Sequence, residues 1–240
     1  NASLTPEQLK VIDPCCGSCH ILAYMFDVLM QIYSSYGYTT REAVESIIEN
    51  NIYGLDIDDR AAQLAYFAVM MKARQYDHRF FSRKDEDGNL KVPQPHVHEI
   101  VESGHTDKDG TKKKNYDIHA LEYFCNGDDK LKNAMDTIIS ELHDAKEYGS
   151  ILTVTQQNWP VLYNRFAEIE EDVSFSMFKD SLDNELLRLV QVAEALAQKY
   201  DVVVTNPPYM GGSGMSAKLS NFVKKNFPDS KSDLFAVFIE

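Results

Sequence analysis

Asn206-Pro207-Pro208-Tyr209 is the segment whose residue types point most directly to chemistry. Prolines fix the backbone and lack amide protons, so the carbonyl groups around them form a rigid set of acceptors. The Asn206 side-chain oxygen and the Pro207 carbonyl can together accept both protons of an exocyclic amine, which turns the nitrogen lone pair towards a methyl donor. Tyr209 offers a flat face on which an extruded base can stack. The segment therefore predicts methylation of a planar amino group, although alone it could also be a stiff turn after a strand.

Two earlier segments have the features of a site for a nucleotide-like cofactor. Residues 13–20 lie where a predicted strand gives way to a helix, and small residues at such a turn let the backbone approach a ligand closely. The next predicted strand places the Asp56 carboxylate at its tip, where it could accept hydrogen bonds from both ribose hydroxyls. Asp58 is the weaker candidate because it could instead cap the following helix. The combination favours a cofactor site over two unrelated turns.

The four cysteines are Cys15, Cys16, Cys19 and Cys125, and three of them fall within five positions. That spacing is awkward for a disulfide framework, so reduced thiols are expected. Cys16 and Cys19 also have the spacing of a redox motif, which keeps a thiol redox protein as an alternative. A zinc site needs about four ligands, and no second metal-spaced pair accompanies these residues. We therefore predict no metal and favour small thiols packed beneath the turn.

Composition and charge limit the classes of protein that need to be considered. The chain has 240 residues, of which 44% are hydrophobic, enough for a sizeable core. It has no run of about eighteen apolar residues and no secretory signal, which predicts a cytoplasmic protein with no membrane partner. There are 24 basic and 37 acidic residues, a formal charge of -13, so the surface as a whole is not expected to attract a phosphate backbone.

Strands alternate with helices, which predicts an α/β, Rossmann-like, doubly wound and mostly parallel sheet with ligands beyond the carboxyl ends of its strands. The expected strands cover residues 10–12, 52–57, 96–101 and 201–205. The last consists largely of valines and is predicted to be covered on both faces.

Helices and loops are predicted around these strands. Thr39 and Glu42 form a capping-box pattern that opens one helix, and another is expected to begin near Asp59. Charged and turn-forming residues predict an exposed loop over residues 103–115. Residues 128–199 are interpreted as a helical insertion within one catalytic domain that takes up residues 1–240.

On residues 13–20 and 206–209 the chain resembles the adenine-specific DNA methyltransferases of the class I, Rossmann-like superfamily. Their cofactor loop commonly reads Asp-Pro-Ala-Cys-Gly-Ser-Gly-His. A closer resemblance is to the PglX-like methyltransferase family of BREX phage-defence systems and to fused restriction-modification enzymes. The segments that carry it are residues 51–58, 148–151, 206–211 and 229–236.

The resemblance implies S-adenosylmethionine as the cofactor and two sets of site residues. Asp13 and Gly17 would hold its methionine part, Asp56 its ribose and Ile57 its adenine, while Glu102, at the end of the predicted third strand, would approach its amino group. The cofactor-binding set is Asp13, Pro14, Gly17, Asp56, Ile57 and Glu102, and the catalytic set is Asn206, Pro207, Pro208 and Tyr209.

The sequence departs from the family pattern at the cofactor loop. Cys19 stands where the family has glycine, and Cys15 where it has alanine. If position 19 needs a positive φ, a side chain there costs about 1 kcal/mol. The family's further N-terminal cofactor element, its later catalytic motifs and its target-recognition domain are not found in these residues, so we expect part of a catalytic domain.

We therefore predict a site-specific DNA adenine N6-methyltransferase that acts on a flipped adenine in restriction-modification or phage defence. Its partners would be double-stranded DNA and restriction or defence-system subunits. One alternative is methylation of a glutamine side chain in protein or of guanine in RNA, because those enzymes share the Asn-Pro-Pro-Tyr signature. Another is a non-catalytic DNA-recognition module, which Cys19 keeps open.

Overall fold

The computed structural model describes residues 4–85, 87–171 and 178–240, which form two compact units. The first comprises the chain up to Glu99 together with Lys199–Gly214 and Ser232–Glu240, and the second comprises Ile100–Gln198 and Met215–Lys231. Among the described residues, none of the helices has the length and apolar character needed to cross a membrane.

A four-stranded sheet organises the first unit. Its strands are β1 (Val11–Asp13), β2 (Ile52–Asp56), β3 (His96–Glu99) and β6 (Val202–Val203). They lie in the order β3-β2-β1-β6, and all three pairings are parallel, with Val11 opposite both Ile52 and Val202. The predicted α/β, Rossmann-like class is confirmed.

Helices α1 (His20–Ser35), α2 (Thr40–Ser46), α3 (Asp59–Tyr76) and α11 (Leu234–Val237) belong to this unit, with a π-helical turn at Ile47–Asn51 and 3-10 turns at Pro6–Gln8 and Phe80–Ser82. The predicted capping box is confirmed, since the Glu42 amide donates to the Thr39 hydroxyl and the Thr39 amide to the Glu42 carboxylate.

Gly54 lets α1 approach β2, because a Cβ there would lie 2.7 Å from Leu22 Cδ1. The core between helices and sheet includes the fully buried Phe26 and Tyr33.

Two strand predictions are wrong in detail. The third strand ends at Glu99 instead of Val101, so Glu102 does not stand at its tip. The last strand is limited to Val202–Val203 at one edge of the described sheet, and residues 202–204 are exposed instead of covered on both faces. An apolar run shows strand formation but does not distinguish an edge position from a central one.

The second unit consists of helices and a β-hairpin. The hairpin pairs β4 (Gly104–Thr106) with β5 (Lys112–Lys114), so the prediction of a loop over residues 103–115 is wrong. The helices are α4 (Ile118–Cys125), α5 (Asp129–Glu141), α6 (Ala145–Tyr148), α7 (Trp159–Glu170), α8 (Lys179–Ser181), α9 (Leu187–Ala197) and α10 (Ala217–Asn226), with a 3-10 turn at Gly149–Ile151 and a π-helical turn at Leu182–Leu186. Helices α5 to α9 lie within residues 128–199, whose status as an insertion stays a prediction.

Candidate active site

Two backbone amides of the loop after β1 donate hydrogen bonds to the tip of β2. The Cys16 amide donates to the Leu55 carbonyl at 2.9 Å, and the Gly17 amide donates to Asp56 Oδ2 at 2.8 Å. Within the loop, the Cys19 amide donates to the Cys16 carbonyl at 2.8 Å. These contacts bring together the two segments that the sequence predicted as a cofactor site.

Asp56 ends β2 and is half-buried. Its Oδ2 accepts from Gly17 and its Oδ1 accepts from the Asp58 amide at 2.9 Å, so each oxygen keeps a further acceptor position. Ile57, next in the chain, is 52% exposed, which leaves an apolar surface directly beside the carboxylate. Asp58 accepts from the amides of Arg60 and Ala61, which confirms the alternative that it caps α3.

Asp13 is only 1% exposed, and its Oδ1 accepts from the Cys15 amide at 3.1 Å. Burial raises the pKa of this carboxyl, and the negative charge of Asp56 raises it further, while the Thr205 hydroxyl and the Cys15 amide lower it in part. The Thr205 hydroxyl is itself buried and interacts with the Asp13 carboxylate. Asp13 therefore supports the loop from beneath, and its contact with the cofactor stays a prediction, as does that of half-buried Pro14.

Cys19 has a left-handed backbone conformation, with φ 79° and ψ 10°, and Gly17 has φ 49°. The resembling family has glycine at this position, and the positive φ of Cys19 shows that a side chain is strained there. A non-glycine residue there costs about 1 kcal/mol relative to an ordinary backbone conformation. The Cys19 side chain is 1% exposed and packs in the core, which offsets part of that cost.

The thiols of Cys16 and Cys19 are both buried, as the packing interpretation predicted. Burial raises the pKa of Cys19 to about 11 and that of Cys16 still further. Redox cysteines need thiolate near neutral pH, so the thiol redox alternative is disfavoured. No group of three or more metal-ligating side chains occurs within the described parts of the chain.

Residues 206–209 follow β6 at the end of the sheet where β1 and β2 also have their carboxyl ends, because these strands are parallel. The Val204 amide donates to the Ile12 carbonyl at 3.0 Å, which fixes the start of the segment. Pro207 is buried, whereas Asn206, Pro208 and Tyr209 are exposed. The Tyr209 hydroxyl donates to Asn206 Oδ1 at 3.2 Å.

Residues near α11 support this segment from one side. The Leu234 amide donates to the Met210 carbonyl at 2.9 Å, and the Phe235 ring stacks on Tyr209 with centroids 5.5 Å apart and an interplanar angle of 10°. Sequence reasoning did not assign a role to Phe235. The only signal that pointed to it was the resemblance of residues 229–236 to the PglX-like family.

Glu102 belongs to the second unit. Its Oε1 accepts a long hydrogen bond of 3.4 Å from Asn115 Nδ2 and lies 3.6 Å from His105 Nδ1. These contacts lie at the base of the β4-β5 hairpin. The proposed approach of Glu102 to the cofactor therefore rests on the resemblance alone.

Sequence comparisons match the chain to one methylase family and to named methyltransferases. The profile of the Eco57I restriction-modification methylase family matches residues 50–240. The chain is 40% identical over 259 aligned positions to the adenine-specific methyltransferase BrxX of Escherichia coli O9:H4 (strain HS), covering 100% of this chain and 20% of that relative. It is 38% identical over 239 positions to the adenine-specific methyltransferase PglX of Lacticaseibacillus casei (strain Zhang), covering 98% of this chain and 18% of that relative. The chain thus spans about a fifth of the length of these relatives.

Proposed function

Because the chain belongs to the Eco57I restriction-modification methylase family, we propose that it carries the catalytic residues of a DNA methyltransferase that modifies the exocyclic amine of adenine. The observation that carries the proposal is that three segments meet at the carboxyl ends of the parallel strands. The loop after β1 is hydrogen-bonded to Asp56, and Asn206 to Tyr209 follow the neighbouring strand on the other side of β1.

The residues present fit S-adenosylmethionine, which supplies a methyl group on a positively charged sulfur when it is bound. Asp56 keeps acceptor positions that two ribose hydroxyls can use, and the exposed Ile57 beside it can pack against adenine. Burial is the main cause of the raised pKa of Asp13, and repulsion by the negative charge of Asp56 adds to it. A cationic ligand nearby would relieve that repulsion.

Catalysis by this chain consists of binding and orienting the amine. Asn206 Oδ1 and the Pro207 carbonyl oxygen accept hydrogen bonds from the two N–H groups of the amine, which directs the nitrogen lone pair away from the ring. Tyr209 stacks on the base and holds it out of the duplex. A strong base is not required, because positioning supplies most of the rate enhancement in such a transfer.

Adenine in double-stranded DNA is the substrate we infer, since BrxX and PglX are both named adenine-specific methyltransferases. The formal charge of -13 disfavours phosphate binding over the whole surface, so DNA contacts would be local. We infer restriction or defence-system subunits as partners and the cytoplasm as the place of action, where the DNA is.

A substrate comparison tests the proposal. The protein expressed from its complete gene is incubated with tritium-labelled S-adenosylmethionine in three separate reactions. One contains duplex DNA, one total RNA and one a protein extract. We expect label in DNA, recovered as N6-methyladenine after digestion to nucleosides. Label in protein glutamine or in RNA guanine, with none in DNA, would contradict the proposal and support the amino-methyltransferase alternative.

The left-handed conformation of Cys19 favours one second candidate, a non-catalytic module that recognises DNA. Strain in the loop would lower cofactor affinity and leave the fold available for binding alone. Calorimetry distinguishes the two candidates. Undetectable binding of S-adenosylmethionine by the wild-type protein, restored by Cys19→Gly, would favour the recognition module, whereas micromolar or tighter wild-type binding would favour the enzyme.

A further inference from the structure

We propose that Phe235 is a positioning residue that holds the Tyr209 ring in the orientation needed for base stacking. The inference rests on the proposed function, because it assigns Phe235 to the same site. Nothing in the composition or spacing of the sequence pairs these two residues, which are 26 positions apart. The evidence is the geometry of their rings and the way the Phe235 backbone is fixed.

The two rings form a parallel-displaced stack. Their centroids are 5.5 Å apart and their planes differ by 10°, which is a favoured arrangement for aromatic pairs. Tyr209 is nevertheless 78% exposed, so Phe235 covers only one side of it. The opposite face of the Tyr209 ring is open to a planar ligand, and a base placed there would extend the stack.

The backbone around Phe235 is bound to the residues that follow Tyr209. The Leu234 amide donates to the Met210 carbonyl at 2.9 Å, and the Gly212 amide donates to the Ser232 carbonyl at 2.9 Å. Because these bonds flank the stack, the position of Phe235 relative to the Tyr209 backbone is fixed before any ligand arrives.

Helix α11 fixes Phe235 from its other side. Asp233 caps the helix by accepting from the Phe235 amide at 2.9 Å. Leu234 and Val237 are 6% and 3% exposed and anchor the same turn in the core. Phe235 is therefore an exposed aromatic residue on a helical turn that Leu234 and Val237 hold in the core.

A positioning residue is needed because the other contact that orients Tyr209 uses an atom required for catalysis. The Tyr209 hydroxyl donates to Asn206 Oδ1 at 3.2 Å. An incoming amine competes for the same oxygen, so this hydrogen bond weakens as the base binds. The stack on Phe235 does not involve Asn206, and it keeps the Tyr209 ring oriented when the hydroxyl is released.

The consequence is a specific kinetic signature. Loss of the flat Phe235 face should lower kcat/KM for DNA without changing the affinity for S-adenosylmethionine. Phe235→Leu keeps an apolar side chain but removes the flat face, whereas Phe235→Tyr keeps the stack. Phe81 provides a matched control, since it is 40% exposed against 37% for Phe235 and its ring centroid lies 5.3 Å from that of Phe80.

The experiment uses the protein expressed from its complete gene and DNA carrying the recognition sequence found by sequencing a methylated genome. We expect Phe235→Leu to lower kcat/KM by about threefold to tenfold, the equivalent of one aromatic stack. Phe235→Tyr and Phe81→Leu should stay within about twofold of the wild type. Calorimetry should give the same Kd for S-adenosylmethionine in all four proteins.

A double-mutant cycle provides the readout that a merely structural role would not produce. Phe235→Leu should have no further effect in a Tyr209→Ala background, because the ring that it positions is gone. Additive effects of the two substitutions, or an unchanged kcat/KM in Phe235→Leu, would overturn the proposal. Methyl transfer by the wild type to protein or RNA instead of DNA would contradict the proposed function alone, and the same cycle then measures the coupling on that substrate.

Discussion

The Gly17 amide donates a hydrogen bond of 2.8 Å to the Asp56 carboxylate, which joins the loop after β1 to the tip of β2. This contact makes Asp56 a structural part of the loop as well as a candidate ribose ligand. The second oxygen of Asp56 accepts from the Asp58 amide at 2.9 Å. Loop position and cofactor affinity should therefore depend on the same carboxylate.

Asp56→Asn should weaken the binding of S-adenosylmethionine by about 10-fold to 100-fold, because an amide nitrogen replaces one of two charged acceptor oxygens. Isothermal calorimetry measures the effect. Asp58→Asn is the matched control, since asparagine also caps helices well and should leave the Kd unchanged. Equal losses in the two variants would show that the carboxylate of Asp56 has no special role.

Cys19→Val should lower the free energy of unfolding by at least about 2 kcal/mol, because a β-branched side chain is poorly accommodated in the left-handed conformation. Cys19→Gly should change it by less than about 1 kcal/mol, since relief of strain is offset by loss of a buried side chain. Urea denaturation followed by circular dichroism provides both values. A Cys19→Val protein as stable as the wild type would argue against the strained conformation.

Tyr209→Phe should retain methyl transfer to within about threefold, because the ring that stacks on the base is kept and only the hydroxyl that competes for Asn206 is lost. Tyr209→Ala should lower kcat/KM by about 10-fold or more, since base stacking is worth about 1 to 3 kcal/mol. Steady-state assays with DNA test both expectations. A larger loss in Tyr209→Phe than in Tyr209→Ala would assign catalysis to the hydroxyl instead.

A buried ion pair in the first unit makes stability depend on pH. Arg83 is 4% exposed and lies 2.9 Å from Asp77 Oδ2 and 2.5 Å from Glu45 Oε2. Burial alone would raise the pKa of Asp77, but the Arg79 amide and the Arg83 guanidinium outweigh it and lower the pKa. A carboxyl with a lowered pKa contributes stability above its unfolded pKa of about 3.9, and the contribution is lost as the pH falls through its folded pKa.

Asp77→Asn should therefore lower the free energy of unfolding by about 2 kcal/mol at pH 7, because Arg83 keeps its ion pair with Glu45 but loses its second charged partner. The difference from the wild type should shrink as the pH falls from about 4 through the lowered folded pKa of Asp77, below which the carboxyl is protonated in both states. Denaturation at several pH values measures it. Asp136→Asn, at an exposed position of α5, should have no comparable effect. A constant difference across the pH range would rule out titration of Asp77 as the cause.

Features of the fold that depend on local chemistry could be predicted from the sequence. Residue type and spacing predict the capping box of Thr39 and Glu42 and the helix cap at Asp58. They also predict that strands alternate with helices and pair in parallel. The positive φ of Cys19 could be anticipated only by comparison with a family that has glycine there.

Features that depend on distant neighbours could not be predicted. Three consecutive lysines look like a loop, and their strand forms because Gly104 has no side chain, since a Cβ there would lie 2.1 Å from the Lys113 carbonyl oxygen. The exposure of Val203 depends on its position at the sheet edge. The stack of Phe235 on Tyr209 joins residues far apart in the chain, so residue spacing carries no signal for it.

The central claim, that Asn206 enables methylation of adenine in DNA, is tested most directly in cells. Genomes are sequenced, by a method that detects N6-methyladenine, from cells that lack the gene and from cells that carry the wild-type, Asn206→Ala or Asn133→Ala gene. Asn133 is an exposed asparagine of α5 and serves as the matched control. We predict N6-methyladenine at one recognition sequence with the wild-type and Asn133→Ala genes, and its loss with Asn206→Ala. The claim would be contradicted if the wild-type gene added no N6-methyladenine, or if the modification persisted with Asn206→Ala.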